Sequence, residues 1–225
     1  MKKSEISKIW NNLLDFIWPR KCLGCQQEGT LCCQECLKTL KTLGIDYQAW
    51  NNQDDFYFDR CLVCLDYHNP LTQNLIKTFK YQYLQNINKI LVDILAEQLA
   101  KLPSTSLRTE NIIITNIPLH KKKKRQRGFD QTEVLAQALA KKINVPYLAI
   151  LKRDKFTKAQ AQLSKAERQK NVSDAFVVNN INFKTNKTII LIDDVATTGA
   201  TLNQAAKVLK DNGFDKIIAL TLAKN

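Results

Sequence analysis

No apolar run in these 225 residues approaches the ~20 that a membrane-spanning helix needs. No export signal is evident either, so the chain is expected to be cytoplasmic. Internal repeats and low-complexity tracts are missing too. Acidic residues are in short supply: 21 Asp and Glu against 34 Lys and Arg leave a net charge of +13. That excess predicts anionic partners, whether phosphorylated small molecules or nucleic acid, although a cationic surface also serves solubility. Without an export signal, the seven cysteines argue for metal or free thiols rather than disulfides.

The length suits one sizeable α/β domain plus a small module. The chain is organised around Thr188 to Leu202, TIILIDDVATTGATL. Ile189 to Ile192 form a continuous apolar run of the length of a buried parallel strand. Asp193 and Asp194 stand where that strand should end. Thr197, Thr198, Gly199, Ala200 and Thr201 follow, and Leu202, Ala205, Ala206 and Leu209 then mark the core face of a helix. A loop entering a helix presents unpaired N–H groups and the positive end of the helix dipole, which suits an anion. The threonines add hydroxyl donors, and Gly199 lets the backbone approach a phosphate. The two carboxylates can accept from a sugar diol or help hold a divalent cation. Together these features point to a ribose 5-phosphate ligand. The plainer alternative is a strand-to-helix turn with N-capping threonines.

Residues 1–19 place Ile6, Ile9, Trp10, Leu13, Leu14 and Ile17 at helical spacing, which predicts an amphipathic helix packed on its own protein and stopped by Pro19. Within residues 20–44, Cys22, Cys25, Cys33 and Cys36 form two C-x₂-C knuckles that can place four thiolates around a structural Zn²⁺. Cys32 competes with Cys33 for the third ligand position. Cys61 and Cys64 form a further C-x₂-C, but the apolar residues around them read as a strand, on which i and i+3 diverge, so they are expected to be structural. Residues 45–225 are expected to form the main domain.

Leu71, Leu75 and Phe79 mark one helix, carrying Lys77 and Lys80, and Ile87 to Leu102 mark a longer one; neither carries recognisable chemistry. Asn111 to Leu119 is a second buried-strand run, followed by the cationic stretch Lys121 to Arg127, expected as a loop between strand and helix. Val134, Leu135, Ala138, Leu139 and Ile143 mark the next helix. Residues 153–172 are polar and basic, and Ala175 to Val178 and Ile217 to Leu222 complete the strands. Alternating strands and helices predict an α/β fold with a doubly wound, mostly parallel sheet.

IILIDDVATTGAT resembles the phosphoribosyl diphosphate (PRPP) motif of type I phosphoribosyltransferases. Arg127-Gly128-Phe129-Asp130-Gln131 resembles the RGFNQ block of the ComF family, as does the pattern Arg153, Thr157, Gln160, Leu163, Arg168 and Asn171. The resemblance implies a type I phosphoribosyltransferase-like fold with an N-terminal zinc ribbon, here a short version. It also implies that Asp193 and Asp194 hold the ribose hydroxyls, and that Thr197 to Thr201 hold the 5-phosphate. Arg127 would meet the diphosphate with Mg²⁺, and Arg153 or Lys155 would close over it from a lid. Asp130, where the family has Asn, is expected to place a negative charge near that polyanion. No residue pattern marks a nucleobase pocket, so the acceptor is open. Two functions follow from the resemblance. One is phosphoribosyl transfer from PRPP. The other is single-stranded DNA binding alongside other competence proteins in DNA uptake, with a vestigial or regulatory PRPP site. Against the second stands the lack of aromatics interleaved with the basic run, Phe129 being the nearest.

Overall fold

Strand runs that are apolar at every position must be covered on both faces, and the chain meets that demand with a central sheet between two helical layers. The computed structural model describes residues 21–40, 43, 45–46, 56–81, 85–102, 109–153, 175–179 and 186–225. Its five-stranded sheet contains β1 (Ile45–Asp46), β2 (Arg60–Asp66), β3 (Ile112–Asn116), β6 (Thr188–Ala196) and β7 (Lys216–Lys224), in the order β1-β2-β7-β6-β3. All neighbours are parallel except β1, which runs antiparallel to β2. The two longest strands, β6 and β7, lie side by side within the sheet and bury most of their residues.

Alternation along each strand divides the side chains between two cores. A short first helix, α1 (Gln34–Thr39), belongs to the cysteine module. Leu62, Cys64, Ile190, Ile192, Leu220 and Leu222 pack against α2 (Pro70–Tyr81), α3 (Gln85–Ala100) and α5 (Gln131–Ile143). Cys61, Val63, Ile189, Leu191, Ile217 and Ala219 face α6 (Ala200–Asp211) and a separate antiparallel ribbon of β4 (Leu151–Arg153) with β5 (Phe176–Val178). Cys61 and Cys64 are therefore both buried, in different cores, as strand alternation predicts. Gly213, at φ 87°, closes α6 in the left-handed conformation, and the Phe214 N–H returns to the Leu209 carbonyl at 3.1 Å.

Three expectations change. The strand that should end at Asp193 continues to Ala196, because β7 pairs with it beyond the acidic pair. The Lys121–Arg127 stretch is a helix, α4, not a loop: His120 caps its start and Gly128, at φ 81°, ends it. The Ala175–Val178 strand lies outside the main sheet, paired with a short strand, β4, that ends at Arg153. The expected N-terminal helix of residues 1–19 and most of the proposed lid, including Lys155, lie outside the described residues. No described helix is long and apolar enough to cross a membrane.

Candidate functional site

Asp193 is in register with Thr221, and Val195 and Ala196 with Ala223 and Lys224, so the acidic pair sits on extended backbone. Neighbouring side chains on such a strand point to opposite faces. Asp194 meets the α2 layer, where its Oδ2 lies 2.8 Å from Lys80 Nζ; the two side chains are 17% and 19% exposed. Asp193 has Arg153, at the end of β4, as a cationic neighbour. Each carboxylate is also steadied by backbone. Asp193 Oδ1 accepts the Asp194 N–H at 2.8 Å, and Asp194 Oδ1 accepts the Val195 N–H at 2.6 Å. Burial, and then the Asp194 charge, push the Asp193 carboxyl up to about 7, while the Asp194 N–H, Lys80 and Arg153 oppose the rise.

Immediately beyond, Thr197 to Gly199 turns β6 into α6. The N-cap is Gly199, at φ 75°, with no side-chain hydrogen bond to the helix. Thr198 Oγ1 reaches the Ala200 N–H only at 3.4 Å. None of the three threonines occupies the cap position, so the plain capped turn is not what this segment builds. The start of a twelve-residue helix, with its positive dipole end, therefore stands three residues after the strand that carries the acidic pair.

One further element adds a cation to this field. Lys123 of α4, exposed on its helix, has its pKa lowered by desolvation first and then by Arg153 and Arg127, while Asp194 opposes the shift. His120 Nδ1 accepts the Lys122 N–H at 3.1 Å to cap α4. Burial, then Arg153 and the neighbouring cations, lower the imidazole pKa and keep that acceptor nitrogen unprotonated. Lys121, Lys124, Arg125 and Gly128 line a cavity of about 670 Å³. The acidic pair, the threonine turn, Arg153 and the basic stretch are thus assembled at one end of the sheet.

Asp130 does not bear out the charge expected near a polyanion. It is 4% exposed and serves as the N-cap of α5. Its Oδ1 accepts the Glu133 N–H at 3.2 Å and the Thr132 hydroxyl at 2.8 Å, and its Oδ2 accepts the Leu119 N–H at 2.7 Å. The charge is absorbed by donors from the strand exit and the helix start. Arg127, expected to point at diphosphate, donates from Nη1 to Gln131 Oε1 at 2.7 Å, and its guanidinium sits 5.8 Å from the Tyr81 ring centroid.

Sequence reasoning missed Lys80. Nothing distinguished it from Lys77, one turn earlier on the same helix. Only the packing of α2 beside β6 brings one of them to the acidic pair.

The four knuckle cysteines, Cys22, Cys25, Cys33 and Cys36, place their sulfurs within 4.8 Å of one another. The backbone N–H groups of Cys33 and Cys36 point at the sulfurs of Cys22 and Cys33, both at 3.4 Å. Burial would raise the Cys22 thiol, but N–H groups at Cys25, Cys33 and Gly24 outweigh it and lower the pKa to about 6. Cys36 is pushed up to about 12, first by the hydrogen bond with the Cys33 thiol. Such crowding of thiols is relieved by a cation at their centre, and the donor set is that of a structural zinc site. A Cβ on Gly24 would stand 2.7 Å from Cys36 Sγ, so the first knuckle closes only around glycine there. Cys32 is not part of the cluster: it is 6% exposed and packs into the α2-side core, which leaves Cys33 in the third position.

The phosphoribosyl transferase domain family matches residues 131–225. Competence protein F of Haemophilus influenzae is 33% identical over 171 residues, spanning 74% of this chain and 73% of that protein. Competence protein ComFC of Streptococcus pneumoniae is 26% identical over 193 residues, spanning 85% of this chain and 80% of its own. Among solved structures, adenine phosphoribosyltransferase from Leishmania tarentolae aligns with 73% of this chain and 91% of its own, at TM-score 0.44 and 13% identity. A phosphoribosyl transferase domain, a four-cysteine cluster and a competence protein F one-third identical over most of both chains agree with one another, and the chain belongs to the ComF family.

Proposed function

We propose that the chain binds PRPP at the end of β6 and transfers its phosphoribosyl group to an acceptor, within DNA uptake in natural transformation. The supporting observation is the succession of acidic pair, threonine turn and uncapped helix start, ringed by Lys80, Lys123 and Arg153. In this reading Asp193 and Asp194 accept hydrogen bonds from the ribose 2- and 3-hydroxyls, and their negative charge favours the cationic character that develops at the anomeric carbon. The N–H groups of Thr198 to Thr201 and the hydroxyls of Thr197, Thr198 and Thr201 hold the 5-phosphate. The acceptor attacks C1, the C1–O bond to diphosphate breaks with inversion, and pyrophosphate leaves with the electron pair. Lys123, Arg127 and Arg153 neutralise that leaving group, and Lys155, outside the described residues, is assigned the same task from the lid. Mg²⁺ bound to the diphosphate would add to this neutralisation.

Residues 20–44 are assigned to a structural zinc module and residues 45–225 to the transferase domain, working in the cytoplasm with residues 1–19 packed on the protein. The place in DNA uptake is carried over from relatives named competence proteins. Calorimetric titration of zinc-replete protein with PRPP and Mg²⁺ tests the ligand. Heat is expected from the wild type and not from Asp193→Asn/Asp194→Asn. A folded wild type without heat overturns the reading. Turnover is tested by offering bases or DNA with PRPP and measuring pyrophosphate release.

A second reading, binding of single-stranded DNA, gains from one observation. The aromatic that sequence could not find beside the basic stretch is Tyr81, 70% exposed and stacked near Arg127, whereas Phe129 is packed edge-on against Phe79. An exposed ring beside a guanidinium suits stacking of a single-stranded base. Measuring single-stranded DNA affinity at two salt concentrations, with Lys121 to Lys124 changed to alanine, decides it: an unchanged affinity rejects this reading.

A further inference from the structure

We propose that Lys80 is a positioning residue of the sugar-phosphate site: from the last turn of α2 it holds the Asp194 carboxylate in the orientation that receives the ribose hydroxyls. The role rests on the PRPP reading above and adds to it a residue from outside the PRPP motif.

The geometry supplies the first argument. Asp194 is gripped at both oxygens: Oδ1 by the Val195 N–H at 2.6 Å and Oδ2 by the Lys80 ammonium at 2.8 Å. Two donors on different oxygens fix the plane of a carboxylate, and each oxygen keeps a lone pair for a hydroxyl. The carboxylate is thus ordered before any ligand arrives, and a ligand that binds it spends less on ordering it. With both side chains about one-fifth exposed or less, the pair is screened less than a surface ion pair, and removal of the cation leaves Asp194 uncompensated beside Asp193.

The second argument is that the end of α2 is itself held in place. Gln131 Nε2 donates to the Lys80 carbonyl at 3.4 Å, while Gln131 Oε1 accepts from Arg127 at 2.7 Å. Arg127 lies over the Tyr81 ring, and Phe79 meets Phe129 edge-on at 5.9 Å between ring centroids. Residues 79, 80 and 81 are therefore each in contact with the Arg127–Gln131 block. A lysine that reached an acidic partner by chance would not need its helix end bracketed in this way. The block acts as a clamp on the helix that presents Lys80, whatever else it touches.

Asp194 is thus held from α2 through Lys80, whose charge, together with that of Arg153 at the end of β4, also acts on Asp193. Lys77, whose Nζ meets Gln73 Oε1 at 3.4 Å, is the natural control on the same helix.

The test separates a role acting through the diol from direct contact with the diphosphate. Ribose 5-phosphate, inorganic pyrophosphate and PRPP, each with Mg²⁺, are titrated into wild type, Lys80→Met, Lys80→Arg and Lys77→Met. Lys80→Gln serves as well should the methionine variant not fold. Loss of one charge-assisted hydrogen bond predicts that Lys80→Met weakens ribose 5-phosphate and PRPP by about tenfold or more. Pyrophosphate should stay within about twofold of wild type, a smaller change than one hydrogen bond is worth. Lys80→Arg should recover part of the loss and Lys77→Met should match wild type. Unchanged ribose 5-phosphate affinity in Lys80→Met, with wild type binding PRPP, overturns the role of Lys80 and leaves the PRPP reading standing. An equal loss for pyrophosphate also overturns it, because Lys80 would then touch the diphosphate. A wild type that binds neither PRPP nor ribose 5-phosphate overturns both.

Discussion

A carboxyl lifted from the ordinary carboxylate range to about 7 binds protons more tightly folded than unfolded, so the ligand-free protein loses stability as pH rises from about 4 to 7. Above pH 7 the whole penalty is felt; below the unfolded pKa it vanishes. Asp193→Asn should therefore raise the Tm of the ligand-free protein at pH 8, by about 2–4 °C for each kcal/mol relieved, with the gain fading towards pH 4. Calorimetric melts at both pH values check this, and a gain independent of pH rejects it. Gly24 offers a second single-residue prediction. The methyl of Gly24→Ala would overlap Cys36 Sγ, so bound zinc per chain, measured by atomic absorption, should fall well below wild type. At this scale much of the candidate site was legible. Asp193, Asp194 and the threonines announce themselves by type and spacing, because few other roles need two carboxylates and three hydroxyls in nine residues. Lys80 was not legible, since a lysine on an amphipathic helix looks the same whether it meets water or an acidic pair. Asp130 misled for a related reason: a charge in a basic stretch reads as facing the ligand until its backbone donors are seen.

Elements were legible where hydrophobic period was strong. The runs that became β3, β6, β7, α2, α3 and α6 bury most of the residues that their spacing singled out, whereas in α5 Leu135 and Leu139 are buried and Val134, Ala138 and Ile143 only half-buried. The pattern failed at α4, whose seven residues are Lys, Arg and Gln with none buried, so no apolar period exists to betray a helix. It also failed at β4, whose three residues are too few for alternation to register, whereas β5 falls within the strand read at Ala175 to Val178. The extension of β6 through its acidic pair was hidden because it depends on β7 alongside, not on local propensity. The α4–α5 corner yields the prediction at this scale. Asp130→Ala removes the N-cap of α5 together with the acceptor for the Leu119 N–H, and should cost about 1–2 kcal/mol or more in urea unfolding at unchanged m. A loss under about 0.5 kcal/mol would mean the cap is dispensable.

At the scale of the whole molecule, the cysteine module is not a detached bead. Cys32 and Leu40 are buried in the same core as α2 and α3, and Leu23, Leu31 and Leu37 pack against it. Metal removal should then reach beyond the knuckles. Cys22→Ser/Cys25→Ser, or chelation, is expected to strip about one zinc per chain and lower the Tm of the main unfolding transition, since metal binding in so small a module supplies its folding energy. A main transition that ignores the chelator would show that the module folds independently.

The helix beneath that module has a further bearing. Asn74 of α2 donates to the Leu23 carbonyl at 3.1 Å, and Leu71 lies against Gly24, so the first half of α2 supports the first knuckle. Its last turn presents Lys80 to Asp194. One helix of twelve residues, about 18 Å long, thus has the first cysteine knuckle leaning on one end and the acidic pair on the other. A shift in its axial position or tilt would be felt at both ends, which makes this helix the element shared by the cysteine cluster and the acidic pair. Thermodynamic reciprocity then applies: whatever factor zinc contributes to sugar-phosphate affinity, the sugar phosphate returns to zinc.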